Sequence, residues 1–182
     1  GKVKPRGICG SGLIDLIYGL ARNKILDIDA KFSPSLQDKR IIRGENGMEY
    51  IVAFPEETET GEALTIAQTD IDNIMRSKAA IFAAIKSLID YAGLSFNQLE
   101  RIYVAGGFGN YLNVEKAIGI GLLPDIPRER IEFVGNSSLM GARMALLSFH
   151  AFEKAVAISQ SITNIELSKL ALFADEYMAS LY

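Results

Sequence analysis

From Ser11 onward, Leu13, Ile14, Leu16, Ile17 and Leu20 fall on one side of a 3.6-residue repeat, which predicts an amphipathic helix ending near Asn23. Ser11 is placed to cap it. Residues 27–40 are polar, contain Pro34 and read as a loop. Two β-rich runs, 40–43 and 50–54, flank Gly44-Glu45-Asn46-Gly47 and predict a hairpin. After a short strand at 64–67, Thr69 opens a long amphipathic helix, with Asp72 three residues on as its capping-box acid. Ile71, Ile74, Met75, Ile81, Phe82, Ile85, Leu88 and Ile89 form its stripe, and Gly93 suits the position just past its end. An apolar strand at 101–105 runs into Gly106-Gly107-Phe108-Gly109, and a helix follows from Asn113 to Gly119. Residues 131–134 are the next strand, then Gly135-Asn136-Ser137-Ser138, then a helix through about Phe152. A last helix, broken near 161–164, closes the chain.

Two strand–glycine–helix units in succession argue for an α/β fold: a mixed sheet with parallel central strands and helices on its faces. No internal repeat, low-complexity segment or linker divides it. At 182 residues, the chain suits one domain or one lobe of a larger enzyme. With 22 acids and 19 bases the net charge is −3, and no basic stripe of a nucleic-acid binder is present. The acidic run Glu56-Glu57-Thr58-Glu59 reads as a solvated loop. One cysteine forms no internal disulfide and cannot hold a zinc or iron–sulfur site alone. No signal peptide opens the chain and no apolar run reaches membrane-span length, so we expect a cytoplasmic protein with no membrane partner.

Glycine lets backbone N–H groups approach a phosphate or a flat base, and a helix amino terminus favours an anion. Ligands of open α/β sheets sit at the carboxyl ends of the strands. The turns at Gly106-Gly107 and Gly135-Asn136-Ser137 are therefore candidate nucleotide contacts, although each could be a tight turn only. Leu112 stands where a third glycine of a dinucleotide fingerprint belongs, and no P-loop occurs. Cys9 reads as a small packed residue before a redox thiol, and His150 as a surface or capping residue. Asp70 and Asp72 read as helix-start acids, and Met140 and Met144 as core.

Four blocks in order resemble the reductive activators of corrinoid enzymes. They are Gly7-Ile8-Cys9-Gly10-Ser11-Gly12-Leu13-Ile14-Asp15, the helix start from Thr69-Asp70-Ile71 through Arg76-Ser77-Lys78-Ala79-Ala80-Ile81, Val104-Ala105-Gly106-Gly107-Phe108-Gly109-Asn110-Tyr111-Leu112, and Gly135-Asn136-Ser137-Ser138-Leu139-Met140-Gly141-Ala142. The resemblance implies an RNase H-like lobe of the superfamily that unites sugar kinases and actin, with ATP and Mg²⁺ held between two lobes. Residues 1–150 would be the second lobe and residues 151–182 a C-terminal helical extension. By position, Gly106, Gly107, Phe108 and Asn110 would lie in the adenosine motif, with Gly135, Asn136 and Ser137 near the same cleft. Arg76 and Lys78, exposed helix charges by default, would flank the purine and ribose.

The resemblance also implies a [2Fe–2S] domain outside these residues, and a corrinoid protein or corrinoid-dependent methyltransferase as partner. A homodimer is compatible with it. The Asp-Gly-Thr-type phosphate loops are absent, so we expect a fragment that does not hydrolyse ATP by itself. Two other readings stand beside this one: an activator of 2-hydroxyacyl-CoA dehydratase or another kinase-like enzyme of the superfamily, and a non-catalytic docking domain.

Overall fold

The computed structural model describes residues 3–33, 38–45, 47–107 and 111–181. The first helix, α1 (Gly10–Arg22), buries Ile14, Ile17 and Leu20. It starts one residue before Ser11, with Cys9 as its N-cap and no side-chain cap bond. The Ser11 hydroxyl instead meets the Cys9 thiol at 3.3 Å. Asn23 closes α1 as expected, and Lys24 then takes a left-handed conformation with φ 57°.

The hairpin forms where the turn residues place it. Strands β1 (Ile41–Gly44) and β2 (Gly47–Ala53) pair antiparallel, with Gly44 opposite Gly47. Strand β3 (Leu64–Ala67) adds to β2, also antiparallel. The long helix α2 (Gln68–Tyr91) follows without a gap. Its cap corrects the expectation: Asp70, not Asp72, reaches back to the Ala67 N–H at 3.1 Å. Asp72 instead accepts from the Lys31 ammonium at 2.7 Å and the Gln68 amide at 2.8 Å, tying the 27–32 loop to α2. Gly93 lies just past the end of α2 with φ 68°, a backbone that glycine adopts without strain.

The buried face of α2 also differs from the predicted stripe. Ile71 and Met75 are buried, but the face continues through Lys78, Ala79, Ala83 and Ser87. Ile81 and Leu88 are exposed instead. Ala79, Ala83 and Ser87 make the later part of that face from small side chains.

Strand β4 (Ile102–Ala105) and strand β5 (Ile131–Gly135) pair parallel, joined through α3 (Val114–Gly119). The architecture is α/β, and among the described residues the strands divide into two sheets: the antiparallel β1–β2–β3 and the parallel β4–β5. The 24-residue α2 stands between them in sequence. Asn113 caps α3 by accepting from the Lys116 N–H at 3.1 Å. The core lies among α1, α2, α3 and β3, with Ile17, Leu20, Ile66, Ile71 and Ala117 at its centre. Leu26 and Phe32 seal it from the loop side.

The helix expected through Phe152 is two helices, α4 (Ser137–Leu147) and α5 (Phe149–Ser161). Ser148 breaks the run because its hydroxyl caps α5, accepting from the Ala151 N–H at 3.3 Å. Neither helix buries a residue. Met140 and Met144, expected in the core, are exposed, as are Leu146, Leu147 and Phe149. The last helix, α6 (Ala171–Ala179), packs on α2, where Lys86 pairs with Asp90 and lies 4.0 Å from Glu176. Among the described residues, no helix is long and apolar enough to cross a membrane.

Candidate functional site

Parallel pairing brings the two glycine turns together. The Gly106 N–H donates to the Gly135 carbonyl at 2.6 Å, one residue beyond the last paired strand position of β4. Register shifts between Val104 and Ala105, so β5 carries an extra residue opposite this point. Such a bulge re-aims the backbone at a strand end. Both glycines use positive φ, 103° at Gly106 and 64° at Gly135. Ordinary side chains rarely adopt that backbone, which accounts for glycine at both positions.

Helix α4 begins two residues after Gly135. Asn136 is its N-cap, and its side-chain oxygen accepts from the Leu139 N–H at 2.9 Å. The first amides of α4 therefore open beside the Gly106–Gly135 junction. Gly107, Asn136 and Ser137 are exposed there, and a Cβ at Gly107 would meet nothing within 4 Å. Five predicted residues, Gly106, Gly107, Gly135, Asn136 and Ser137, thus gather at one end of the parallel pair. Phe108 and Asn110 lie outside the described residues.

Arg76 and Lys78 do not act as a pair. Two residues on a helix are separated by about 200° of rotation. Arg76 is exposed, lies 3.4 Å from the Asn73 side chain and lines a small pocket with Lys31, Asp72, Tyr177 and Leu181. Lys78 points the other way and is only 5% exposed. It lines a pocket of about 280 Å³ between the start of α1 and α2, with Gly10, Leu13, Asn73, Ser77 and Leu122. A second pocket of about 360 Å³ shares Leu13, Asn73 and Ile74 with it. Burial pulls the Lys78 ammonium below the ordinary lysine pKa.

Gly10, Asn73 and Ser77 were not among the predicted site residues. The signal that could have found the pocket is Lys78 itself. It stands seven residues after Ile71 and three after Met75, so helical spacing carries a lysine onto the buried face.

Cys9 is exposed rather than packed. The Ser11 hydroxyl and then the Gly12 N–H lower its thiol pKa. Asp15 bonds the Lys116 ammonium at 2.8 Å and joins α1 to α3, while its second carboxylate oxygen is buried without a partner.

The residues present fit the implied groups unequally. Open glycine backbone and a helix amino terminus suit a nucleotide. Among the described residues, no group of three or more His, Cys, Asp or Glu could hold a metal ion. A single cysteine does not supply the four thiolates of a [2Fe–2S] cluster.

Joined glycine turns after parallel strands, with helices to either side, define an α/β lobe with one shared strand-end surface. The family model described as the C-terminal domain of RACo, the ASKHA domain, matches residues 1–182, and the chain belongs to that family. It is 32% identical over 185 residues to a corrinoid activation enzyme, RamQ, of Eubacterium limosum, covering 98% of this chain and 31% of that protein. A [Co(II) methylated amine-specific corrinoid protein] reductase of Methanosarcina barkeri is 30% identical over 103 residues, 57% of this chain and 19% of that one. A solved structure of a reductive activator for corrinoid, iron–sulfur protein superposes with a TM-score of 0.92 at 42% identity, over 98% of this chain and 28% of that one. The chain thus spans about a third or less of the length of each relative.

Proposed function

We propose that these residues form the ATP-binding lobe of an ATP-dependent reductive activator, which returns a Co(II) corrinoid protein to Co(I). The observation that carries this reading is the Gly106 N–H to Gly135 carbonyl bond, which makes one surface of two glycine turns. In this reading Gly106 and Gly107 present flat backbone to the adenosine, and Phe108 and Asn110 belong to the same adenosine motif by sequence. Asn136 and Ser137 hold the start of α4 beside it. From α2, Lys78 is the candidate contact of the inner face and Arg76 that of the outer face.

A reduced [2Fe–2S] centre, on residues outside this chain, would supply the one electron that takes Co(II) to Co(I). ATP hydrolysis supplies the free energy that makes this uphill transfer proceed. Nucleotide binding alters affinity for the corrinoid partner, so the two sites are coupled. The partner is a corrinoid protein or corrinoid-dependent methyltransferase, the protein works in the cytoplasm, and a homodimer is compatible with this role. Residues 1–150 act as the second lobe and residues 151–182 as a helical extension.

Calorimetric titration of the intact protein with Mg-ATP tests this reading, alongside ATP-dependent appearance of the Co(I) absorbance of a corrinoid protein. Saturable binding that Gly107→Val weakens supports it. An intact protein that binds no ATP overturns it.

A further inference from the structure

The last helix is held to the fold by a thin contact. α6 has nine residues, no side-chain cap bond at its start and no buried residue. Its half-buried positions include Phe173, Glu176, Tyr177 and Ser180, whose three-and-four spacing makes one narrow face. An acid and a hydroxyl thus sit among the two aromatic rings that dock it. A helix this short is marginal in water, so α6 depends on α2 for its helical form.

α6 runs antiparallel to α2. At its start, Leu170, Ala171 and Leu172 share a cavity of about 230 Å³ with Ser87, Asp90 and Tyr91. At its end, Tyr177 and Leu181 share a second cavity of about 130 Å³ with Asp72, Met75 and Arg76. Close-packed interiors leave few such voids, and each one forfeits dispersion contacts between the two helices. Ser87 adds a further cost. It is 2% exposed, and among the described residues its hydroxyl has no hydrogen-bond partner. An orphaned hydroxyl weakens the docked state and is relieved by water once the cavity opens. One charged contact acts the other way: Glu176 lies 4.0 Å from the Lys86 ammonium, which also pairs with Asp90. The lead into α6 has slack, because Ile162, Thr163, Asn164 and Glu166 are exposed between α5 and the short 3-10 turn Leu167–Lys169.

We propose that α6 is a releasable strap on α2. It leaves as one unit while α1, α2 and α3 stay folded, and its release uncovers the side of α2 between Met75 and Tyr91. The Lys86–Glu176 contact latches the strap, and the Ser87 hydroxyl biases it toward release. The position of the strap sets access to that side of α2. The proposal stands whether or not the lobe binds a nucleotide.

Hydrogen exchange of the intact protein, read by mass spectrometry, tests the strap. Hydroxyl-radical oxidation of Met75 is the second readout, because Met75 is 8% exposed and lines the cavity at the strap's end. The α6 amides should exchange together, about tenfold or more faster than those around Ala79 and Ala83 of α2. Glu176→Lys should speed α6 exchange roughly two- to fivefold and raise Met75 oxidation, and adding Lys86→Glu should restore both. Ser87→Ala should slow α6 exchange about fivefold and lower Met75 oxidation. Exchange around Ala79 should stay unchanged in each variant. α6 amides that exchange at the rate of the α2 core would show a single cooperative unit and overturn the proposal. So would α6 amides with no protection at all, or Met75 oxidation indifferent to both Glu176→Lys and Ser87→Ala.

Discussion

Single replacements of Gly106 and Gly107 separate a backbone requirement from a ligand requirement. Gly106 holds φ 103°, and a Cβ there would touch nothing within 4 Å, so Gly106→Ala introduces strain without a clash. Holding a non-glycine residue in such a region costs about 1–3 kcal/mol. Alanine also restricts the unfolded chain, which offsets about 0.4–1 kcal/mol. The net expected loss is about 1–2 kcal/mol, or a fall in the folded-to-unfolded ratio of roughly 5- to 30-fold. Gly107 has no positive φ and equally open surroundings, so Gly107→Ala should change stability by no more than about 0.5 kcal/mol. Ligand binding should reverse the ranking. Gly107 is exposed beside the start of α4, so a bulky side chain there stands where a nucleotide would lie. Urea denaturation without ligand, followed by calorimetry with Mg-ATP, measures both quantities. Gly106→Ala as stable as Gly107→Ala would refute the backbone argument. Unchanged ATP affinity in Gly107→Val would refute the assignment of this turn to the ligand.

Gly119→Ala should destabilise by about 1–3 kcal/mol in the same denaturation assay, because the added Cβ would lie 2.3 Å from the Tyr18 ring where α3 crosses α1. Asp72→Asn should lose about 1–2 kcal/mol at neutral pH by weakening the Lys31 contact. Burial opposes ionisation of Asp72, but the Lys31 ammonium and the Gln68 amide outweigh it and hold its pKa below 3.8. Its contribution is therefore complete above the unfolded pKa and lost as pH falls through the lower folded one, so the variant should show a flatter acid limb. Without ligand, Lys78→Met should be more stable than the native protein. Folded Lys78 binds its proton less tightly than unfolded Lys78, so native stability rises with pH between the lowered pKa and 10.5, and the gap to the variant closes there. Ser148→Ala should cost about 1 kcal/mol and fray the start of α5, measurable as faster amide exchange near Ala151.

Much of this architecture is written in local signals. Gly44 and Gly47 specify the hairpin because a tight turn between two β-rich runs leaves few other pairings. Asn113 and Gly93 mark helix ends through one hydrogen bond and one left-handed backbone angle. The features that escaped depend on neighbours far along the chain. Asp70 and Asp72 are equally good helix-start acids by sequence. Lys31, 41 residues upstream of Asp72, recruits that carboxylate and leaves Asp70 to reach Ala67. Apolar residues run on both sides of Ser148, so periodicity reads one helix, yet its cap bond to Ala151 divides the segment in two. Met140 and Met144 sit at core-like spacing, but no described element covers the face of α4 that carries them.

The site shows the same division between local and distant information. Gly106 and Gly135 are 29 positions apart, yet each belongs to a strand–glycine–helix unit, and parallel pairing of those units carries one to the other. Their meeting was therefore legible from pattern alone. Arg76 and Lys78 are neighbours in sequence, and helix geometry sends them to opposite sides. Arg76 faces Asp72 and the end of the chain, whereas Lys78 faces Gly10 and Leu122. A contact role for both with one ligand would need the ligand to pass around α2, while a role for Lys78 needs only an anion in the pocket it already lines. The discriminating comparison is thus Arg76→Met against Lys78→Met. If α2 meets its ligand through the inner face, the first change leaves anion affinity within about twofold and the second does not. Equal losses in the two variants would place the ligand on the outer face as well and overturn the separation drawn from the helix.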